Sequence, residues 1–370
     1  MTRNANNQLK IALLPNDGIG PEIVASTAAV LEAADHLFGL SMSFETHEVG
    51  LKTIASHGTA YTDEVHEACK AADAVVLGPG SRAEYPRGNI GGIAPSGEMR
   101  KRFDLFANIR PARTRPGVKP PCGKQFDLVV VRENTEGFYS DRNMFSGSGE
   151  FMPTADVALA VRKISRTAST RIAEAAFPLA RSRNRKLTVV TKSNVLQQTD
   201  GLFLECVRAV GENFPDVEVE EKFIDAMTAL LVRNPENFDV IVTTNMFGDI
   251  LTALASELSG SIGLGASLNS GTDFVIAQAQ HGSAPDLAGK DVANPVSLIS
   301  SAAMLLEWLS ERRADPRLKE AAAAIDAAID ATLARPETRT RDLGGPLGTK
   351  AFTERLIASL RETHKGNEAA

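Results

Sequence analysis

Residues 9–38, LKIALLPNDGIGPEIVASTAAVLEAADHLF, contain a strand, a turn and a helix in the order that builds a parallel sheet. The apolar run 9–14 is typical of a buried strand. Asn16-Asp17-Gly18-Ile19-Gly20 predicts a turn, and Pro21 suits the first helical position because a backbone N–H is not needed there. We therefore expect a helix from Pro21 to about Phe38.

Apolar runs alternate with segments of helical period along the whole chain, which predicts an α/β fold with a largely parallel sheet. Further strands are predicted over residues 41–49, 73–77, 126–131, 186–191, 217–223 and 238–243. Helices are predicted over residues 62–72, 98–105, 195–214, 226–232, 247–258, 295–312, 318–333 and 350–362. The proline-rich segment 114–124 indicates a crossing between domains, segment 141–153 an exposed arm, and segment 260–271 a return connection.

The composition excludes several classes of protein. The chain has 370 residues, 43% hydrophobic and 23% charged, which is typical of a globular protein and excludes disorder and fibrous structure. Its 40 Lys+Arg and 46 Asp+Glu are spread along the chain, without the basic stripe that nucleic acid requires. The three cysteines form no CxxC pair, and there is no apolar signal segment or membrane span, so we expect a cytoplasmic location.

Three arginines near predicted element ends, Arg100, Arg110 and Arg132, form the first candidate cluster. Guanidinium groups bind carboxylates through two parallel hydrogen bonds, so three converging arginines would suit a dicarboxylate or tricarboxylate. Taken singly, an arginine of this kind is more often an ordinary surface residue, and only convergence in space distinguishes a binding cluster.

Tyr139 in RENTEGFY and Lys192 in TKSN form a candidate acid and base. Tyr and Lys side chains both have ordinary pKa values of about 10. Burial or neighbouring cations can move the pKa of either side chain toward neutrality. The alternative is a packed phenol and a solvated amine.

Asp225 and Asp249 flank strand ends and offer the hard oxygen ligands that Mg²⁺ or Mn²⁺ prefers, although helix-capping aspartates look the same in sequence. A polar loop precedes the helix predicted at residue 295. Its candidate nucleotide contacts are His281, Gly282, Ser283, Ala284, Asp286 and Asn294. No GxGxxG follows the first strand, so the conventional Rossmann fingerprint is absent.

Together these motifs resemble the β-decarboxylating dehydrogenases, the family of isocitrate, isopropylmalate, homoisocitrate and tartrate/D-malate dehydrogenases. The resemblance runs from Ile11 to the C-terminal helix. It rests on LPNDGIGPE, DLFANIRP, VVRENTEGFY, TKSNVL, NMFGDIL, HGSAPDLAGKDVANP and DLGG.

The resemblance implies an isopropylmalate dehydrogenase-like fold of two domains without a conventional Rossmann domain. A large cofactor-side domain, with a large mixed sheet flanked by helices, would comprise residues 1–110 and 262–370. A smaller dimerising domain would comprise residues 111–261, with a dimerisation arm near 140–165. Two subunits of a homodimer would share each active site.

The resemblance also implies residue roles. Arg100, Arg110 and Arg132 would hold the carboxylates of a malate unit, with Ser96 beside the remaining substituent. Tyr139 would be the acid and Lys192, from the partner subunit, the base. Asn194 would contact the nicotinamide. Asp249 and the partner subunit's Asp225 would hold Mg²⁺ or Mn²⁺.

The implied activity is oxidative decarboxylation of a 3-substituted (R)-malate. The cofactor is expected to be NAD, because Asp286-Leu287 stands where NADP-dependent members commonly carry Lys-Tyr, and an acidic residue there would accept ribose hydroxyls and repel a 2′-phosphate.

Several positions depart from the family pattern. Segment 93–100, IAPSGEMR, has neither the leucine pair of isopropylmalate enzymes nor the Ser-x-Asn of isocitrate enzymes, so the substrate stays open among these classes. Ala253 replaces an aspartate that members often carry one helical turn after Asp249. It favours an alternative, a non-catalytic regulatory subunit of a heteromeric isocitrate dehydrogenase, which the retained site residues oppose. Asn16 for the usual glycine, and Gln278-Ala279-Gln280 for the usual Glu-Pro-Val, have no interpretation from sequence.

Overall fold

The computed structural model describes residues 8–86, 94–139 and 144–368, with side chains described as far as residue 364. The first part of the chain forms β1 (Leu9–Leu14), α1 (Gly20–Phe38), β2 (Met42–Thr46), α2 (Leu51–His57), α3 (Asp63–Ala71), β3 (Ala74–Leu77), α4 (Pro95–Arg102) and β4 (Ala107–Arg113). The middle forms β5 (Asp127–Glu133), β6 (Glu150–Thr154), β7 (Val157–Ala160), α5 (Arg166–Ser182), β8 (Lys186–Thr191), α6 (Thr199–Gly211), β9 (Glu218–Phe223), α7 (Ile224–Arg233), β10 (Val240–Thr243) and α8 (Asn245–Ser259). The last part forms β11 (Ala266–Ser270), β12 (Val275–Ala279), α9 (Val296–Arg313), α10 (Pro316–Leu333) and α11 (Thr349–Glu368).

A ten-stranded sheet organises the molecule, with strand order β2-β1-β3-β12-β11-β4-β5-β10-β8-β9. The strands pair in parallel on both sides, whereas β12, β11, β4 and β5 pair antiparallel at the centre. This arrangement confirms the predicted α/β fold with a large mixed sheet flanked by helices. Parallel strands need crossover connections, and α1, α6 and α8 are among the helices that provide them.

The interpretation of residues 260–271 as a return connection is wrong, because β11 is a fully buried central strand within that segment. Its sequence, ASLNS, looks like a loop because Ser267 and Asn269 are polar. Both side chains lie beside Asn108 of β4, whose amide nitrogen donates hydrogen bonds to Ser267 Oγ (2.9 Å) and Asn269 Oδ1 (3.2 Å). Buried polar groups are tolerated in a strand when neighbouring strands satisfy their hydrogen bonds.

β6 and β7 form a separate antiparallel hairpin whose residues are all exposed. Among them are large apolar side chains: Phe151, Met152, Val157 and Leu159. Exposed apolar groups gathered on one element mark an interaction surface more often than a free one. The sequence predicts an exposed arm beginning at residue 141, and positions 140–143 lie outside the described residues.

The apolar side chains of the described residues form four clusters, of which two join the first and last parts of the chain. Two clusters collect residues up to Val118 together with residues from Leu264 onward, and the other two lie within residues 107–258. Cys69, Cys122 and Cys206 are free thiols, as expected. Of the helices in the described ranges, none combines the length and apolar character needed to cross a bilayer.

Gly20 and Gly78 let three backbone segments pack closely at the end of β1. A Cβ at Gly20 would lie 1.9 Å from the carbonyl oxygen of Pro15, and one at Gly78 would lie 2.1 Å from the same atom. The turn predicted from Asn16-Asp17-Gly18 is therefore fixed against the connection that follows β3.

We expect Gly78→Ala to lower the free energy of unfolding by about 1–3 kcal/mol, because the new methyl group meets backbone that cannot move alone. Urea denaturation at one fixed protein concentration would measure the change. Gly201→Ala in α6 is the matched control: nothing lies within 4 Å of the position that a Cβ would take there, so alanine should stabilise the helix by about 0.5–1 kcal/mol. Equal effects of the two substitutions would refute this account.

Candidate active site

The guanidinium of Arg132, at the end of β5, is 1% exposed and lies at the centre of a cluster of polar side chains. Nε and Nη2 donate to Asn245 Oδ1 at 2.9 and 2.6 Å, and Nη2 donates to Tyr139 Oη at 2.7 Å. Nη1 forms an ion pair with Asp249 Oδ1. A Cβ at Gly248 would lie 2.6 Å from Arg132 Cγ, so glycine at this position of α8 leaves room for the arginine.

Arg110 of β4 reaches the same carboxylate from the neighbouring strand. Its Nη1 donates to Asp249 Oδ1 at 3.1 Å and to Thr252 Oγ1 at 2.8 Å. Asn108 pairs with Arg132 across β4 and β5, and Arg110 lies two residues along β4 from Asn108. Because alternate residues of a strand share a face, both arginines point toward α8.

Arg100 belongs to the same cluster through α4. It is buried, and its Nη2 donates to Gln278 Oε1 at 3.4 Å. Its charge helps to lower the pKa of Asp249 and opposes the rise in the pKa of Tyr139. Ser96 lies one helical turn earlier on α4 and is half-buried. The structure therefore brings the three predicted arginines together, with Ser96 on the helix that carries Arg100.

Tyr139 donates a hydrogen bond from Oη to Asp249 Oδ2 at 2.9 Å. Burial raises the pKa of Tyr139; the charge of Arg132 opposes this shift and Asp249 reinforces it. The pKa therefore moves away from neutrality, opposite to the shift considered from the sequence. A phenol in this environment keeps its proton at neutral pH and can serve as a donor.

The pKa of Asp249 shifts in the opposite direction to that of Tyr139. Burial raises the pKa of its carboxyl, but Arg132 and Arg110 lower it by more, so the net pKa falls below its ordinary value. Burial and repulsion from Arg132 lower the pKa of Arg110 to about 10, which still leaves it charged at neutral pH. Three guanidinium groups thus face one carboxylate, which favours an anionic ligand.

Lys192 and Asp225 form a second group. Lys192 follows β8, and its backbone N–H donates to Asp200 Oδ2 at 2.6 Å. Its Nζ donates to Asp225 Oδ1 at 2.6 Å, a bond that lowers the pKa of Asp225, whose side chain is 68% exposed. Asn194 is exposed two residues after Lys192. Within the described ranges, no hydrogen bond or ion pair joins Lys192 or Asp225 to Asp249.

The side chains that could bind a metal ion are likewise not gathered into one group. No group of three or more His, Cys, Asp or Glu side chains that could hold a metal ion occurs in the part of the chain that the structure describes. Asp249 and Asp225 each offer hard carboxylate oxygens with exposed surface, 46% and 68% of the side chain. Two such groups can bind a hydrated divalent ion when they come together around it.

The predicted cofactor loop follows β12 and contacts the turns after β1 and β3. Ser283 accepts hydrogen bonds at its carbonyl from Ile19 N (2.8 Å) and at Oγ from Ser81 (2.7 Å). A Cβ at Gly18 would lie 2.0 Å from the Ser283 carbonyl oxygen. Since β1, β3 and β12 run parallel, their carboxyl ends share one edge, where ligands of α/β sheets commonly bind.

The remaining loop residues surround that contact. Gly282 and Asp286 are exposed, Ala284 has φ 38°, and burial lowers the pKa of His281, which keeps the imidazole neutral at pH 7. Asn294 donates from Nδ2 to Asp342 Oδ2 at 2.9 Å. The accessible carboxylate and the close backbone packing fit a dinucleotide.

Two residues of the cluster were missed by sequence reasoning. Asn245 is buried, accepts from Arg132 and donates from Nδ2 to the Glu136 carbonyl at 2.8 Å. Thr252 accepts from Arg110. Asn245 stands first in the motif NMFGDIL, so its position carried a signal, whereas Thr252 resembles any polar residue of a helix.

The chain belongs to the isocitrate/isopropylmalate dehydrogenase family, whose model matches residues 10–357. An isocitrate/homoisocitrate dehydrogenase of Thermus thermophilus is 42% identical over 354 residues, covering 95% of this chain and 98% of that protein. A 3-isopropylmalate dehydrogenase of Anaeromyxobacter dehalogenans is 39% identical over 365 residues, covering 95% and 99%. The crystal structure of isocitrate dehydrogenase from Methylococcus capsulatus has a TM-score of 0.85 at 35% identity, covering 95% and 99%.

Family membership makes this chain an oxidoreductase of the decarboxylating hydroxy acid dehydrogenases, which act on small carboxylic acids. The relatives differ in their named substrates, so membership alone does not choose among isocitrate, homoisocitrate and isopropylmalate.

The lowered pKa of Asp249 predicts a pH-dependent stability. In the unfolded chain the pKa of an Asp carboxyl is about 3.9. The stability that the Asp249 ion pairs provide is therefore fully present above that pH, and it is lost as the pH falls through the lower pKa of the folded state. The free-energy difference between the wild type and Asp249→Asn should therefore shrink between about pH 6 and pH 3.

Urea denaturation across that pH range would measure this difference. Asp273→Asn, in the exposed connection between β11 and β12, is the control for the substitution itself. A difference for Asp249→Asn that stays constant with pH would contradict the arginine pairing.

Proposed function

We propose that this chain is an NAD-dependent dehydrogenase that requires Mg²⁺ or Mn²⁺ and oxidatively decarboxylates a 3-substituted (R)-malate. One observation carries the proposal: three buried arginines converge on Asp249 and Tyr139. Candidate substrates are isocitrate, homoisocitrate, isopropylmalate, D-malate and tartrate. The proposed location is cytoplasmic, without nucleic-acid or membrane partners.

The arginines would bind the substrate. Arg110 and Arg132 are held in fixed orientations by Asp249, Asn245 and Thr252, so little side-chain freedom is lost when a carboxylate binds. Arg100 would bind a carboxylate together with Arg110 and Arg132, and Ser96, on the same helix α4, would lie beside the C3 substituent. Ser96 and Gly97 leave room or water at that position rather than the apolar surface that an isopropyl group requires.

Tyr139 would supply a proton late in the reaction. When the C3 carboxylate leaves as CO₂, the electron pair of the broken bond stays on C3, and Tyr139 Oη would give its proton to that carbon. The raised pKa of Tyr139 supports this role because it keeps the phenol protonated until then. The nearby guanidinium groups would stabilise negative charge on the substrate.

Lys192 would remove the proton of the C2 hydroxyl, with Asp225 orienting its Nζ. Since Lys192 and Asp225 do not contact Asp249 within one chain, we propose that a homodimer completes each site with these two residues of the partner subunit. The exposed apolar hairpin β6–β7 supports this proposal as part of a dimerisation arm near 140–165. The clustering of apolar residues supports a large domain, 1–110 with 262–370, and a small domain, 111–261.

Asp249 and the partner subunit's Asp225 would hold the divalent ion, and the loop with His281, Ser283, Asp286 and Asn294 would hold the dinucleotide beside Asn194. When bound, the ion would polarise the C2 oxygen and NAD would accept the hydride. The exposed carboxylate of Asp286 favours ribose hydroxyls and disfavours a 2′-phosphate.

We expect NADH formation with Mn²⁺ and at least one of isocitrate, homoisocitrate, isopropylmalate, D-malate or tartrate, and slower turnover with NADP at the same concentration. Lys192→Met should lower kcat by roughly 10²- to 10⁴-fold, because the base would be absent. Lys319→Met, an exposed lysine of α10, should leave kcat unchanged. If none of the five acids supports NADH formation, the result would favour the alternative that Ala253 suggests, a non-catalytic regulatory subunit.

A shared active site predicts that two inactive variants restore one another. Tyr139→Phe and Lys192→Met chains, unfolded together and refolded as a mixture, should recover roughly one quarter of wild-type activity, because half the dimers are mixed and each has one intact site. Each variant refolded alone is the control. A mixture as inactive as its components would show that Tyr139 and Lys192 act within one chain.

A further inference from the structure

Gln280, the residue between β12 and His281, joins the cofactor loop to α8. Its Nε2 donates to the Thr252 carbonyl oxygen at 2.8 Å, and its Oε1 accepts from Ser256 Oγ at 3.0 Å. Its backbone N–H donates to Ser297 Oγ at 3.1 Å, which fixes the same residue against α9. The amide thus uses both a donor and an acceptor on one turn of α8.

That turn of α8 also carries the contacts of the arginine cluster. Thr252 Oγ1 accepts from Arg110 Nη1 at 2.8 Å and donates to the Asp249 carbonyl at 2.9 Å. Gln280 is therefore hydrogen-bonded to Thr252, the residue that contacts Arg110, and it directly precedes His281 in the chain. The side chains of Ser283 and His281 bond elsewhere, to Ser81 and to the Gly282 carbonyl.

The backbone of a neighbouring segment leaves space for this bridge. A Cβ at Gly265 would lie 2.4 Å from Ser256 Oγ and 2.5 Å from Gln280 Oε1. Gly265 has no positive φ, so its lack of a side chain serves close packing rather than a special backbone conformation. A third element therefore accommodates the contact between Gln280 and Ser256.

We propose that Gln280 is a positioning residue that couples dinucleotide binding to substrate binding. A dinucleotide that orders the loop from His281 also orders Gln280, and through it the turn of α8 that holds Arg110 and Asp249. Coupling between two sites is reciprocal, so the acid must also tighten the dinucleotide. The inference rests on the proposed function and extends it to the coupling between its two sites.

The coupling can be measured without turnover. NADH fluorescence gives the dissociation constant of NADH alone and with D-malate and Mn²⁺, and the ratio of the two constants is the coupling factor. We expect a wild-type factor of roughly fivefold or more, and a factor near one for Gln280→Leu, which removes both hydrogen bonds at similar volume. Gln280→Glu keeps the acceptor for Ser256 but loses the donor to Thr252, so its factor should be intermediate.

Two further variants separate positioning from general damage. Gln125→Leu makes the same substitution at an exposed glutamine bonded to Thr114, and it should keep the wild-type factor. Ser256→Ala removes one hydroxyl from the bridge and should lower the factor. Combined with Gln280→Leu it should add nothing, because both substitutions break the same contact.

The outcomes distinguish the two proposals. A Gln280→Leu protein that binds NADH and keeps the wild-type coupling factor would overturn the role of Gln280 and leave the proposed function intact. If Gln280→Leu does not fold, an unchanged factor in Ser256→Ala overturns the role instead. A wild-type protein that binds neither NADH nor any of the five candidate acids would overturn the proposed function and this inference together.

Discussion

Burial of the Arg132 charge is the constraint on which the site depends. A guanidinium that is 1% exposed is costly unless ion pairs and hydrogen bonds replace its water. Asp249, Asn245 and Tyr139 provide those partners, and they lie on α8 and on the segment after β5. The motif NMFGDIL can be understood as the binding partner of Arg132: an amide acceptor, a glycine that leaves room, and a carboxylate.

Ion pairing and burial together move the pKa values of two neighbouring groups apart. Arg132 and Arg110 lower the pKa of Asp249, whereas burial raises the pKa of Tyr139, so one group is an anion and the other a neutral acid at neutral pH. Environments that move pKa values apart allow adjacent groups to perform different steps. In the proposed reaction Asp249 stays charged as a ligand while Tyr139 keeps the proton that it will donate.

Sequence reasoning predicted the outer strands and most helices, because buried parallel strands are short continuous apolar runs and the apolar residues of the helices repeat with a period of about 3.6. It missed β4, β11 and β12 at the centre of the sheet, and it interpreted β11 as a connection. Local sequence patterns do not show that Lys192 lies apart from the three arginines within one chain; only the family resemblance implied it, by assigning Lys192 to the partner subunit. The order of the strands in the sheet causes that separation, because β8 lies two strands from β5, roughly 10 Å away at their shared carboxyl edge. Strand order cannot be predicted from local sequence patterns.

The charge of the arginine cluster explains why the centre of the sheet is polar. Asn134 and Asn108 donate to Asn269 Oδ1, and Asn269 donates to Gln278 Oε1, which also accepts from Arg100. These amides satisfy one another without net charge. Gln278, at a position where family members usually carry Glu, therefore gives Arg100 a neutral hydrogen-bond partner in this chain. Neutral amides hold the arginine in place and leave its charge to act on the ligand, which explains why a buried sheet centre is built from residues that resemble a loop.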